Sequence, residues 1–228
     1  MIVPCEVPVM TLPAATLFPQ SLLPLYVFEP RHRRMLIDVL ESHRMLVVAM
    51  QKPSCQRETP HEVAGLGLVR MAVQHSDGTA HVVLQGLIRV SLTPALRYKP
   101  YRVHRITPLC TIPAPPNHCQ PLLQELRDLV QRRIELGLPF PPPPTLMDAE
   151  NVVSLVPCPD AMAAILRDTL DLKDPDVVAD LISAILVGPA TVRQQLLECV
   201  RTSDRLALLV AHLKTELARH GDPSPGSP

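Results

Sequence analysis

Apolar positions recur along this chain with two different periods, and the change between them organises the reading. Val63 to Gln74 and Thr79 to Ser91 are long β-rich runs joined by His75-Ser76-Asp77-Gly78, and Asp-Gly between such runs predicts a hairpin. Gly65, Gly67 and Gly86 inside the runs predict bulges or bends. Met45 to Met50 is an unbroken apolar stretch of strand length, expected to be buried on both faces. Pro8 to Leu12 reads as a short, proline-flanked strand at a sheet edge, and Tyr101 to Thr107 as a further strand. Between them, Pro30 opens an amphipathic helix ending near Ser42, with Met35, Leu36, Val39 and Leu40 on one face. Strands with bends and one inserted helix predict a small, partly closed barrel.

From Leu122 the period becomes 3.6. Leu122, Leu126, Leu129, Val130 and Ile134 line one helix face, and the run Pro139 to Pro144 follows as a stiff extended connector. Asp160, Asp174 with Pro175, and Thr202 or Ser203 are expected to cap further helices, with another from Thr191 to Val200. Each is apolar on one side, so together they predict a bundle. The expected organisation is a β-barrel unit over residues 1–110, a helical unit over 111–220 and a disordered tail over 221–228.

Composition narrows the function classes. The chain of 228 residues is 46% apolar with a formal net charge of zero, which predicts a folded protein with no overall field for nucleic acid or an anionic membrane. Aromatic residues make up only 3%, so the core must be aliphatic. No run is long enough to span a bilayer, no secretory leader is evident, and six scattered cysteines read as reduced thiols; a cytoplasmic location is the expectation.

Candidate chemistry is sparse. No Gly-x-x-x-x-Gly-Lys-[Ser/Thr] loop is present. Cys110, His118 and Cys119 share one presumed loop but lack a fourth ligand and paired spacing, so no metal is expected. Ser42-His43 and His75-Ser76-Asp77 invite a hydrolase reading, yet a helix end and a turn account for them. Arg97, Lys99, Arg102 and Arg105 with Tyr98 and Tyr101 form a local basic, aromatic stretch that keeps RNA binding as an alternative.

The densest signal is an ordered series: Thr11-Leu12-Pro13, Leu17-Phe18-Pro19, Leu23-Pro24-Leu25, Phe28-Glu29-Pro30-Arg31 and Met35-Leu36. It continues with Val63 to Arg70, Val82 to Val90, Val178 to Leu186, Arg193 to Glu198 and Ser203 to Glu216. This series resembles the N-terminal domain of Lon proteases over nearly the whole chain. The resemblance implies an α+β fold, a PUA-like pseudobarrel with an inserted helix followed by a helical bundle. It also implies a non-catalytic substrate-recognition module, here expected to stand alone without the ATPase and Ser-Lys peptidase domains and to need no cofactor. The expected partners are unfolded or tagged polypeptides, with a separate ATPase, protease or chaperone to which the module would be an adaptor. The candidate polypeptide-binding residues are Leu17, Phe18, Leu22, Leu23, Leu25, Tyr26, Phe28, Arg31 and Met35.

Overall fold

The computed structural model describes residues 2–53, 55, 58–142 and 158–221. Six strands precede five of the six helices among them: β1 (Glu6–Leu12), β2 (Leu22–Val27), α1 (Pro30–Leu40), β3 (Met45–Met50), β4 (Val63–Gln74), β5 (Ala80–Arg97) and β6 (Val103–Pro108), then α2 (Pro116–Glu135), α3 (Pro159–Leu170), α4 (Pro175–Leu186), α5 (Ala190–Glu198) and α6 (Thr202–Gly221). The strand order is β2-β5-β4-β3-β1-β6, and β6 also pairs with β5. That second pairing closes β5, β4, β3, β1 and β6 into a ring, with β2 laid against the first half of the long β5. The mixed α+β order is the expected one.

Closure changes one expectation. β1 is not an edge strand, because it pairs in parallel with β3 and antiparallel with β6. Pro8 is tolerated there because the ladder to β6 ends at Pro8 and the ladder to β3 begins at Val9, so its missing N–H falls at the changeover. β3 is buried on both faces, as its unbroken apolar run requires. The hairpin forms at Asp77-Gly78: Gly78 takes a positive φ, and the Asp77 carboxylate accepts from the Thr79 N–H and hydroxyl.

The segment between β1 and β2 crosses the sheet at its glycines. A Cβ on Gly65 would collide with the Leu17 carbonyl, and one on Gly86 with the Phe18 carbonyl. This close approach sends two adjacent side chains into different cores. Leu17 fills the core between the sheet and α1 with Leu23, Leu25, Met35 and Leu84, whereas Phe18 joins the helical core with Leu126, Ile182, Leu197 and Leu209.

Helix starts explain the remaining differences. α2 begins at Pro116, ahead of Leu122 where the helical period becomes evident, because proline suits the first helical turn. Pro121 lies on its exposed side, where solvent can satisfy the carbonyl left without a donor. Asp174 caps α4 by accepting from the Asp176 N–H. Asp160 is not a cap; Cys158 holds that position and Asp160 lies in the first turn, still favoured by the positive helix end. The Thr202 hydroxyl serves Asp176 of α4, 2.7 Å away, and the Ser203 hydroxyl bonds Asp204, so neither displays a cap on α6. The connector after α2 is docked where it is described, with Phe140 packed on the helical core beneath the Arg133 guanidinium. Its continuation and the expected tail lie outside the described residues, save Gly221, which ends α6. No described helix is long and apolar enough to cross a membrane.

Sheet and helices are locked by buried charge. Arg89 of β5 reaches the Asp180 carboxylate of α4 with both terminal nitrogens, at 2.9 and 2.5 Å, and donates from Nε to the Leu197 carbonyl. Arg205 of α6 joins Asp180 at 2.8 Å and Asp176 at 2.5 Å. Replacing Asp180 strands two buried guanidiniums beside a single remaining carboxylate. Asp180→Ala is expected to lower unfolding free energy by about 3–5 kcal/mol, read by urea denaturation. Loss within 1 kcal/mol would show that the network carries little.

Acid should also loosen the fold. The buried His104 donates from Nδ1 to the Thr93 carbonyl at 2.7 Å, and its Nε2 has no partner among the described residues. Burial pushes its pKa below the ordinary 6.5, as it does for His32, His43 and His212. The unfolded chain therefore binds these protons first, and stability falls as pH drops from about 6.5 through the lower folded values. Unfolding free energy should decline between pH 7 and pH 5, with a shallower decline in His104→Asn; identical values at both pH values would refute this.

Candidate functional site

The candidate binding residues separate by strand alternation. Leu23, Leu25 and Val27 of β2 point into the core shared with α1, while Leu22, Pro24 and Tyr26 point out. Leu17, Phe18, Leu23, Leu25 and Met35 are all core residues, so none of these five offers surface to a partner in this conformation. Leu22 is 64% and Phe28 51% exposed, and Tyr26 and Arg31 are half-buried.

β5 and β4 extend this outer face. Leu22 stands beside Gln85; Pro24 beside Val83, which stands beside Met71; and Tyr26 beside His81, which stands beside Val73. Phe28 closes the row by stacking on Tyr26, with ring centroids 6.0 Å apart, and the His81 ring tilts against Tyr26 at 5.0 Å. Met71 and Val73 are 46% and 49% exposed. The result is a continuous apolar grid on the outside of three strands, which a folded chain must leave facing water unless something covers it.

Met71 and Val73 escape sequence reasoning for a definite reason. Strict alternation from the buried Val69 would put both inside. The β4–β5 register shifts between Val69 and Met71, and this bulge turns Met71 and Val73 outward and Ala72 inward. Gly65 and Gly67 announced an irregular strand, but not this reversal.

Arg31, at the end of the same segment, belongs to a polar cluster. Its two terminal nitrogens lie 2.5 and 2.6 Å from the Glu58 carboxylate, and Nε lies 2.8 Å from Glu29. The pair holds the Glu58 carboxyl below its usual range and raises the Arg31 guanidinium above its own. Burial dominates at the neighbouring His32, whose pKa is lowered despite Glu29 at 3.7 Å.

The other candidates resolve into structural roles. The Ser42 hydroxyl donates to the Asp38 carbonyl as a helix-end residue, and His43 Nδ1 accepts from the Met45 N–H. His75 Nε2 lies 2.8 Å from His81 Nδ1 at the hairpin. Cys119 and His118 lie on α2 rather than in a loop; the Cys119 thiol is buried in the helical core and its pKa is raised by that burial, while Cys110 and His118 are exposed. The basic stretch folds back on itself. Arg97 covers the Tyr101 ring, Arg102 covers Tyr98, Arg105 pairs with Glu6, and Tyr101 is buried and donates to Asp38 at 2.7 Å.

Comparison with known proteins gives this geometry a context. Residues 6–215 match the family model of the ATP-dependent protease La (LON) substrate-binding domain. The chain is 23% identical over 218 residues to a Lon protease of Dictyoglomus thermophilum, covering 94% of this chain and 25% of that protein. It is 28% identical over 221 residues to Lon protease 2 of Sorangium cellulosum, covering 93% of this chain and 25% of that protein. It thus spans about a quarter of the length of these relatives. Among solved structures, the N-terminal domain of a Mycobacterium avium complex Lon protease superposes with a TM-score of 0.66 at 17% identity, over 92% of this chain and 98% of that one. The Lon N-terminal domain protein of Xanthomonas campestris gives 0.59 at 16% identity, over 90% and 97%. With the family model matched from the first strand into the last helix, this chain belongs to the Lon substrate-binding domain family.

Proposed function

We propose that this chain is a non-catalytic polypeptide-recognition module whose outer β2-β5-β4 face captures exposed apolar segments of unfolded proteins. The observation that carries the reading is the grid of Leu22, Tyr26, Phe28, Val83, Met71 and Val73 on the face of β2-β5-β4 turned away from the core shared with α1. Buried elsewhere, such residues would be ordinary core. Here they offer an extended chain a flat apolar bed, with Tyr26 and Phe28 as the large anchors that dominate such contacts. Family membership supports a substrate-recognition role. Delivery of the captured chain to a separate ATPase, protease or chaperone is part of the same proposal, as is work in the cytoplasm, where the six free cysteines would stay reduced.

Binding to a permanently unfolded protein, compared with the native form of that protein, tests it. The wild-type chain should bind the unfolded form selectively, and Tyr26→Ser with Met71→Ser should weaken binding at least tenfold while leaving the melting temperature within a few degrees. Equal affinity for both forms, or full binding by the double variant, would refute the reading. Retention on RNA that weakens steeply with salt would favour the nucleic-acid alternative instead.

A further inference from the structure

A cavity of about 180 Å³ lies between β1, the start of α1 and the β5–β6 connection. At liquid density that is room for about six waters, enough for an oxyanion with a few attached atoms. Thr11, Arg31, His32, Tyr98, Lys99 and Arg102 line it, with the Glu58 carboxylate at one wall.

Three independent features give this cavity a chemical character. Thr11 is 95% buried and lines the cavity, and its hydroxyl has no hydrogen-bond partner among the described residues. Buried hydroxyls are nearly always satisfied, so this one marks a place for a polar guest. The charges do not cancel: Arg31 is shared by Glu58 and Glu29, whereas neither Lys99 nor Arg102 forms an ion pair with a described residue. Arg102 instead lies over the Tyr98 ring, 5.5 Å from its centroid, which orients the guanidinium. The start of the 11-residue α1 also faces here, and its N-cap Glu29 makes no side-chain cap hydrogen bond. Its first-turn N–H groups add positive potential, partly offset by the Glu29 carboxylate 2.7 Å from Arg31 and 3.7 Å from His32. An internal carboxylate, that of Glu58, already occupies the Arg31 fork and shows which chemistry the cluster accepts.

We propose that this cavity binds a small oxyanion, a carboxylate or phosphate group, held by Arg102 and Lys99 with the Thr11 hydroxyl donating to it. The site is distinct from the apolar face, and none of its residues belongs to the grid. Its failure and that of the polypeptide-binding reading are therefore separable.

Calorimetric or NMR titration of the full chain tests it with three probes: inorganic phosphate, N-acetylleucine and N-acetylleucinamide. Saturable binding of phosphate or of N-acetylleucine, without binding of the uncharged amide, is the expected result. Phosphate alone would identify phosphate groups as the guest, and N-acetylleucine alone a carboxylate such as a chain terminus. Arg102→Gln should weaken binding about tenfold, and so should the near-isosteric Thr11→Val. Glu58→Gln, which removes a competing negative charge, should tighten it. Arg102 is only half-buried, so its variant decides the matter even where Thr11→Val fails to fold. No binding of either anion, equal binding of the amide, or affinity unchanged in Arg102→Gln would overturn the proposal.

Discussion

One carboxylate, that of Asp180, lies between two buried guanidiniums, and among the described residues it is the sole counterion of Arg89. Arg89 comes from the sheet and Arg205 from the last helix, both almost wholly buried. An arginine taken from water must meet a counterion, and the fork of Arg89 accepts Asp180 in one orientation only. Asp176, a helical turn earlier, completes the neutralisation of Arg205. The network adds little net free energy compared with an apolar core of the same volume, but it leaves the helices one place to sit against the barrel. Arg193 repeats the device without a carboxylate: burial pushes its pKa down to about 10, and it spends its donors on Thr16 and on the carbonyls of Ala184 and Val187 while covering the Phe18 ring.

The crossing of Leu17 and Phe18 over the sheet is held from the helical side by Arg193, which donates to Thr16 and covers the Phe18 ring. Gly65 and Gly86 allow the backbone to touch the strands, and the two side chains then serve opposite cores. The side of β2-β5-β4 that carries Leu22 and Tyr26 faces away from the core shared with α1. Leu22, Phe28, Met71 and Val73 stay exposed on that side.

The segment Tyr26-Val-Phe-Glu-Pro-Arg-His32 therefore has two ends of different character. Tyr26 and Phe28 extend the apolar grid, and Arg31 and His32 open the polar cavity at the start of α1. Pro30 marks the change, because its fixed φ turns an extended strand into a helix within two residues. The density of recognisable residues there reflects three demands on one short stretch: a strand face, a helix start and an ion cluster.

Much of this architecture is legible in residue order because it depends on local physics. Asp77-Gly78 permits only a tight turn, the unbroken run of β3 suits only a strand covered on both sides, and Asp174-Pro175 has the donors and the φ of a helix start. The family motifs likewise follow from ordered residues. Tertiary structure alone decided which apolar side chains face water. Leu17, Phe18, Leu23, Leu25 and Met35 look no different in sequence from Leu22 and Phe28, and a single bulge reverses Met71 and Val73. Closure of the ring through β5 and β6, the interior place of β1 and the unpartnered Thr11 hydroxyl all arise from pairings between residues far apart in the chain, where periodicity reports that a face must be buried but not what will bury it.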